Sequence, residues 1–465
     1  MFDRQVYIDR RRKLRTQLGS GLVLLLGNDN SSINFADNHY PFRQDSTFLY
    51  YFGVNQPGLA GIVDVDNDQE FLFGNEPELI SVIWEGSKPS LHELAVKAGV
   101  ENFQSFQHLD TIIQEARSVH RKVHFLPPYR PEHENTLKNW LGLQDTSWQE
   151  QASVELIKAV VNQRSYKSEE EIAEIEKAVD TNVAMQLAVM RSAQAGMKET
   201  ELLGLLSQVA LSNEGSTSFP PIVTVDGQIL HNNSYHNTLA AGQMLLCDCG
   251  AESSTHYAGD LTRTFPVNAT FDTRQREIYE VILNAHQTAI DDLRPGVLFK
   301  DIHLLACEKL VDGLKGIGLM RGDSQEAVQA GAHALFFQCG LGHMMGLDVH
   351  DMENLGEQFV GYTPELTQST EFGLRSLRLG RALEPGFVLT VEPGIYLIPE
   401  LIDLWRSTHK NSDFINYDKV ETYKDFGGIR MEDDFLITSE GSRQLGSSLP
   451  LTVAEIEEVR SSSLS

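Results

Sequence analysis

Short apolar runs bounded by turns alternate with helix-like stretches through roughly the first 150 residues. Gly21-Leu-Val-Leu-Leu-Leu-Gly27 and Phe71-Leu-Phe-Gly74 read as strands and Ser90 to Ala98 as a helix, an α/β pattern. The period changes after Arg164-Ser-Tyr-Lys-Ser168. Ser168 and Glu171 form a capping box, and Ile172, Ile175, Val179, Val183, Leu187 and Met190 then recur at helical spacing. This predicts a long amphipathic helix that opens a second domain and turns its apolar stripe to a core. Further on, strands are expected at Ile222 to Val225, Met244 to Asp248, Leu261 to Val267, Phe387 to Val391 and Met431 to Thr438. Helices are expected around Arg274 to Asp292 and Lys300 to Leu314. Strands gathered around one sheet with segregated helices make this half α+β. The expected fold class is therefore α+β in two domains, an α/β N-terminal domain over residues 1–160 and a larger domain over residues 161–465.

The length of 465 residues agrees with that division, since it exceeds what one hydrophobic core organises. Apolar residues make up 41% and charged residues 22%, ordinary globular usage that argues against large-scale disorder. A net charge of -27, from 38 basic and 65 acidic residues, repels phosphate backbones and anionic lipids, so neither nucleic acid nor membrane is an expected partner. The apolar run from Gly21 to Gly27 is far shorter than the ~20 residues a bilayer crossing needs. Cys247, Cys249, Cys307 and Cys339 are too few for a disulfide framework and contain no CxxC pair, which points to a reducing cytoplasm.

Four acidic residues stand beside apolar runs. Asp248 closes Met244-Leu-Leu-Cys, Asp260 opens Leu-Thr-Arg-Thr-Phe-Pro, Glu392 closes Phe387-Val-Leu-Thr-Val, and Glu432 lies in Arg430-Met-Glu-Asp-Asp. Taken singly, an acid at a strand end is more often a solvated cap, and a His flanked by Gly and Met is more often a satisfied core residue. If the four converge, their repulsion in a low-dielectric pocket demands cations, and two divalent ions would neutralise it. His343, in Cys339-Gly-Leu-Gly-His-Met-Met-Gly, adds one imidazole to an oxygen-rich set. Such a set suits Mn2+ best, with Co2+, Fe2+ and Zn2+ as alternatives. Rival signatures fail: His92-Glu93 and His133-Glu134 lack the second His of a zincin helix, and there is no GxSxG elbow.

These segments follow one another in a telling order: Asp248 with Gly259-Asp-Leu-Thr-Arg-Thr-Phe-Pro266, His343-Met-Met-Gly-Leu-Asp-Val-His350-Asp, Leu389-Thr-Val-Glu392-Pro-Gly-Ile-Tyr, and Gly428-Ile-Arg-Met-Glu432-Asp-Asp. Over roughly residues 160 to 440 the chain resembles the proline-specific members of the pita-bread metallopeptidases, aminopeptidase P and prolidase. The resemblance implies a pita-bread catalytic domain holding two divalent metal ions. Asp260 and Glu432 would bridge them, Asp248 would chelate one, and His343 with Glu392 would bind the other. It implies attack by a metal-bridging hydroxide with Glu392 as general base. It also makes His231 and His350 hydrogen-bond donors to the substrate carbonyl or the developing oxyanion. Arg430, two residues from Glu432, would share its strand face and neutralise part of the acidic cluster.

Two departures qualify this picture. Many members carry a His where this chain has Cys339, a position that helps line the proline pocket, and Cys supplies no cationic donor. The polar stretch from Glu400 to Phe426 is longer than in compact members and is expected to be a surface excursion rather than a lid. The N-terminal segments Asp37-Asn-His-Tyr-Pro-Phe-Arg-Gln-Asp-Ser-Thr-Phe48, Tyr50-Tyr-Phe-Gly-Val-Asn-Gln-Pro57 and Ile83-Trp-Glu-Gly86 look most like aminopeptidase P, although some prolidases share this domain. That implies a homodimer or homotetramer in which Asp37 and Trp84 contact substrate at a neighbouring subunit's site. The expected reaction releases the N-terminal residue of a peptide with proline in second position. The alternative is a prolidase confined to Xaa-Pro dipeptides, which must also bind the free proline carboxylate, with Arg378, Arg381 and Arg430 as available cations. A non-catalytic binding protein on the same scaffold is a third reading, opposed by the intact ligand set.

Overall fold

The computed structural model describes residues 1–143 and 148–464. They divide into two compact units, Met1–Arg164 with Met352–Phe359, and Ser165–Asp351 with Val360–Ser465. In the first unit a five-stranded sheet runs in the order Asn102–Ser105, Gln69–Gly74, Ala60–Asp64, Leu22–Leu26, Val123–His124. Leu22–Leu26 is antiparallel to Ala60–Asp64 and parallel to Val123–His124. Leu22 to Leu25 are buried, as a continuous apolar run requires of an interior strand. The expected helix is Leu91–Ala98, closed by a Ser90–Glu93 capping box at its start and by Gly99 in the left-handed region at its end.

The second unit opens with the helix Glu169–Ser192. The Ser168 N–H donates to the Glu171 carboxylate at 3.0 Å and the Glu171 N–H to Ser168 Oγ at 3.4 Å, completing the capping box. Ile175, Val179, Val183 and Met190 are buried, while Ile172 and Leu187 sit at the margin of the stripe. Helices Thr273–Asp291 and Phe299–Gly316 pack against each other in the same unit.

The strands of this unit do not form the single sheet expected from sequence. Leu261–Pro266, Met244–Cys249 and Ile222–Thr224 make one antiparallel ladder, and Val388–Val391, Asp433–Ile437 and Ser442–Gln444 make another. Gly394–Tyr396 pairs separately with Gly428–Arg430. Isolated bridges from Thr262 to Glu432 and from Met344 to Leu389 link these ladders. The expected strand Met431 to Thr438 starts later, at Asp433, because Met431 and Glu432 lie where the chain passes from one ladder to the next.

The stretch from Glu400 to Phe426 is likewise not a loose excursion. It contains the helices Pro399–Ser407 and Tyr417–Glu421, and Ile402, Trp405, Ile415, Val420 and Tyr423 are buried in the main apolar cluster. Its polar residues occupy the outer faces of packed helices, which is why composition alone suggested an unpacked segment.

Candidate active site

Strand alternation orients the first acid. Cys247 and Cys249 enter the apolar cluster, so Asp248 between them points to the opposite face, directly across from Thr262 in the ladder. Asp260 immediately precedes the partner strand, and Thr262 Oγ1 donates to Glu432 Oε2 at 2.7 Å. From the core side, the Gln186 amide of the long helix donates to the Cys247 and Leu261 carbonyls at 3.0 and 2.7 Å, which fixes the backbone next to both acids. Arg263 is fully buried and donates to the Thr262 and Glu432 carbonyls at 3.0 and 2.8 Å. It also pairs with Asp433 at 2.8 Å, so the segment is held at Glu432 and at the residue that follows it.

His343 enters through a close backbone approach. A Cβ on Gly342 would lie 2.0 Å from the Thr390 carbonyl oxygen, so this position tolerates only glycine without a shift. The His343 N–H donates to Thr390 Oγ1 at 3.2 Å, and the Thr390 N–H to the His343 carbonyl at 3.1 Å. Two residues further on, the Glu392 N–H donates to the Leu341 carbonyl at 2.7 Å.

These segments converge on one cavity of about 350 Å3, whose wall includes Asp248, Asp260, His343, Glu392 and Glu432. His231, Cys339, His350 and Arg430 line it too, as do Arg378 and Tyr396. His343 Nε2 lies 3.6 Å from Asp260 Oδ2 and 3.6 Å from Glu392 Oε1. Asp260, His343 and Glu432 offer ligand atoms that all fall within 4.8 Å of one another. The His343 and His350 rings meet edge to face with centroids 4.2 Å apart. Arg430 pairs with Asp248 and donates to the Tyr396 hydroxyl at 2.9 Å.

Burial, reinforced by the charge of Asp248, pushes Asp260 well above the usual carboxylate range. Burial together with Asp260, Glu392 and Asp248 does the same to Glu432, and burial raises Glu392. Asp248 Oδ1 and Asp260 Oδ1 are buried and accept no hydrogen bond. Orphaned carboxylate oxygens in one cavity wall with the His343 imidazole are a donor set that fits oxygen-seeking divalent cations. Burial, then the nearby Arg430, lowers His231.

Not every residue singled out from sequence joins this cavity. Asp37 and Trp84 lie on exposed segments of the first unit, and Trp84 is 80% exposed on the helix Leu79–Glu85, which buries none of its residues. Arg381 pairs with Glu384 at 2.7 Å and does not line the wall. Conversely, Thr262, Tyr396 and Asp434 were not anticipated. Thr262 was legible, since two residues after Asp260 it shares that face of the chain. Asp434 Oδ2 accepts the Asp260 N–H at 3.0 Å, a contact between distant segments with no local sequence signal.

Residues 173–439 match the model of metallopeptidase family M24, and residues 7–124 match that of the aminopeptidase P N-terminal domain. The human protein named Xaa-Pro dipeptidase is 30% identical over 478 aligned positions, covering 98% of this chain and 92% of the relative. A probable Xaa-Pro aminopeptidase PEPP from Fusarium vanettenii is 31% identical over 431 positions, covering 90% and 87%. Among solved structures, zinc-substituted Escherichia coli aminopeptidase P in complex with product matches with a TM-score of 0.81, at 28% identity and 99% coverage of both chains. With the cavity geometry, these findings make the chain a member of metallopeptidase family M24 that carries an aminopeptidase P N-terminal domain ahead of its catalytic domain.

Proposed function

We propose that this chain hydrolyses the bond between an N-terminal residue and the proline that follows it, with two divalent metal ions held by Asp248, Asp260, His343, Glu392 and Glu432. The observation that carries this reading is the convergence of four carboxylates and one imidazole on a single cavity. Mn2+ is the ion best suited to so oxygen-rich a set. When bound, the ions supply Lewis acidity at the scissile carbonyl and make a water acidic enough to react near neutral pH. Glu392, made more basic by burial, accepts the proton of the attacking water. His350, packed against His343, and His231, whose neutral form burial favours, present N–H donors to the carbonyl oxygen. Arg430 pairs with Asp248 and fixes the direction of its carboxylate. Proline has no imide N–H to read, so recognition rests on shape, for which Phe219, Pro220, Ile222 and Val349 provide apolar wall.

A second reading confines the substrate to Xaa-Pro dipeptides, and Arg378 favours it. Of the three arginines considered for clamping a free proline carboxylate, Arg381 is outside the wall, Arg430 lines the cavity and pairs with the metal-site residue Asp248, and Arg378 lines the cavity beside Ser376. The deciding experiment is hydrolysis by manganese-loaded protein of an Xaa-Pro dipeptide beside an Xaa-Pro-Xaa tripeptide, with chelated protein as control. Cleavage of the tripeptide supports the aminopeptidase, cleavage of the dipeptide alone the dipeptidase, and cleavage of neither removes both.

The net charge of -27 speaks against a nucleic-acid partner, and among the described residues no helix is long and apolar enough to cross a membrane. Four free cysteines support a cytoplasmic setting. The exposed Leu79, Ile80, Ile83 and Trp84 support a homodimer or homotetramer, in which Asp37 and Trp84 would reach the substrate of a second copy. A monomer in sedimentation would remove that last assignment.

A further inference from the structure

A second cluster of ligand-bearing side chains lies in the catalytic unit, and none of its residues lines the cavity described above. The helix Phe299–Gly316 places His303 and Cys307 one turn apart on the same face. The 3-10 turn Ala332–Leu335 sets His333 against them. All three residues are buried, and one ligand atom from each falls within 4.8 Å of the others. Their hydrogen bonding is incomplete. His303 Nε2 meets Cys307 Sγ at 3.5 Å, His303 Nδ1 completes no hydrogen bond, and His333 has only a contact with the Val328 backbone that falls short of hydrogen-bond geometry. A neutral imidazole carries one N–H donor and one lone pair, and leaving these unmatched in a packed interior is costly. Burial brings His303 down to about 3 and His333 to about 4, so each ring is neutral with a lone pair able to coordinate. Burial raises the Cys307 thiol, so the sulfur keeps its proton until a cation displaces it.

We propose that His303, Cys307 and His333 form a structural Zn2+ site separate from the hydrolytic centre. On binding, the ion replaces the Cys307 proton, which leaves to solvent, and takes the thiolate and one nitrogen from each ring as three of its usual four ligands. Ligand softness keeps the two sites apart: the ligands assigned in the cavity are four carboxylates and one imidazole, which suit oxygen-seeking ions, whereas this cluster offers sulfur and two imidazoles. The ion pins the helix Phe299–Gly316 to the turn that precedes the segment carrying Cys339 and His343. Within that segment the Phe336 carbonyl accepts the Tyr396 N–H at 2.8 Å, so the staple also steadies one wall of the cavity.

Cobalt is the probe, because tetrahedral Co2+ bound by a thiolate absorbs in the near ultraviolet through sulfur-to-metal charge transfer. The full-length protein is expressed in cobalt-supplemented minimal medium, so that a fully buried site fills as the chain folds. The band is expected in the wild-type protein and lost in both Cys307→Ser and His333→Ala, the latter keeping every cysteine. None of the five ligands assigned to the hydrolytic centre carries sulfur, and Cys339, which lines that cavity, is intact in both variants, so a band arising there would persist in them and the result is independent of the peptidase reading. Folded wild-type protein without the band overturns the proposal, and so does a band that persists unchanged in His333→Ala. If one variant fails to fold, the other assigns the band, and folded wild-type protein without it overturns the proposal in either case.

Discussion

Arg430 and Asp248 form an ion pair across two different ladders, with side chains only 5% and 11% exposed. The same guanidinium donates to the Tyr396 hydroxyl at 2.9 Å, so its direction is set from two sides. One built-in cation thus offsets part of the charge of the acidic cluster. Burial makes Asp260, Glu392 and Glu432 more basic and leaves the rest of the compensation to bound ions.

Removing that cation should be felt in stability before catalysis is considered. Arg430→Met leaves Asp248 buried without its counter-charge, and the metal-free protein is expected to lose about 3–5 kcal/mol in denaturant unfolding. Arg430→Lys should recover only part of this, since it keeps the charge but not the fork that reaches both Asp248 and Tyr396. Equal stability of the methionine variant and wild type would show that the pair does not hold this region.

Binding and turnover should separate at two positions. Asp260→Ala removes an orphaned buried carboxylate from the donor set, so metal content by elemental analysis and hydrolysis should both fall to background. His350→Ala should keep its metal and lose about 100-fold to 1000-fold in turnover, the usual effect of deleting one oxyanion donor. Full activity of Asp260→Ala would refute its assignment as a bridging ligand.

Arg378→Ala separates the two substrate readings. If Arg378 clamps the proline carboxylate, KM for an Xaa-Pro dipeptide should rise by about 10-fold to 100-fold, the worth of a charge-assisted hydrogen bond. KM for a longer peptide, whose proline carboxyl is tied up in the next bond, should change far less. An equal effect on both substrates would mean that Arg378 does not read that carboxylate.

His286 gives the unfolding free energy an acid-side slope. It is fully buried, with Nε2 3.5 Å from Asp433 Oδ2, and burial lowers it to about 4 despite the pull of that carboxylate. The unfolded chain takes up this proton near pH 6.5 and the folded chain only near pH 4. The stability contribution is therefore complete above about pH 6.5 and lost as pH falls toward 4, at up to about 1.4 kcal/mol per pH unit. Unfolding measured across this window should show a shallower slope in His286→Leu than in wild type. An identical slope in the variant would remove His286 as a source.

What the sequence alone determined are the features with local causes. The Leu22–Leu26 strand follows from an unbroken apolar run and the start of Glu169–Ser192 from Ser168 and Glu171. The order of the acidic and histidine segments was legible in the same way, because each is a short contiguous pattern. Only the tertiary structure decided which distant segments meet. It split the expected single sheet into ladders, packed the polar-looking Glu400 to Phe426 stretch onto the core, and selected Asp248 as the member of the acidic cluster that Arg430 pairs with. It also put Arg378 in the cavity wall and left Arg381, three positions later, outside it. The reason is physical. Period and capping act over a few residues, whereas strand pairing, burial and charge compensation depend on groups far apart in the chain, whose meeting no local pattern encodes.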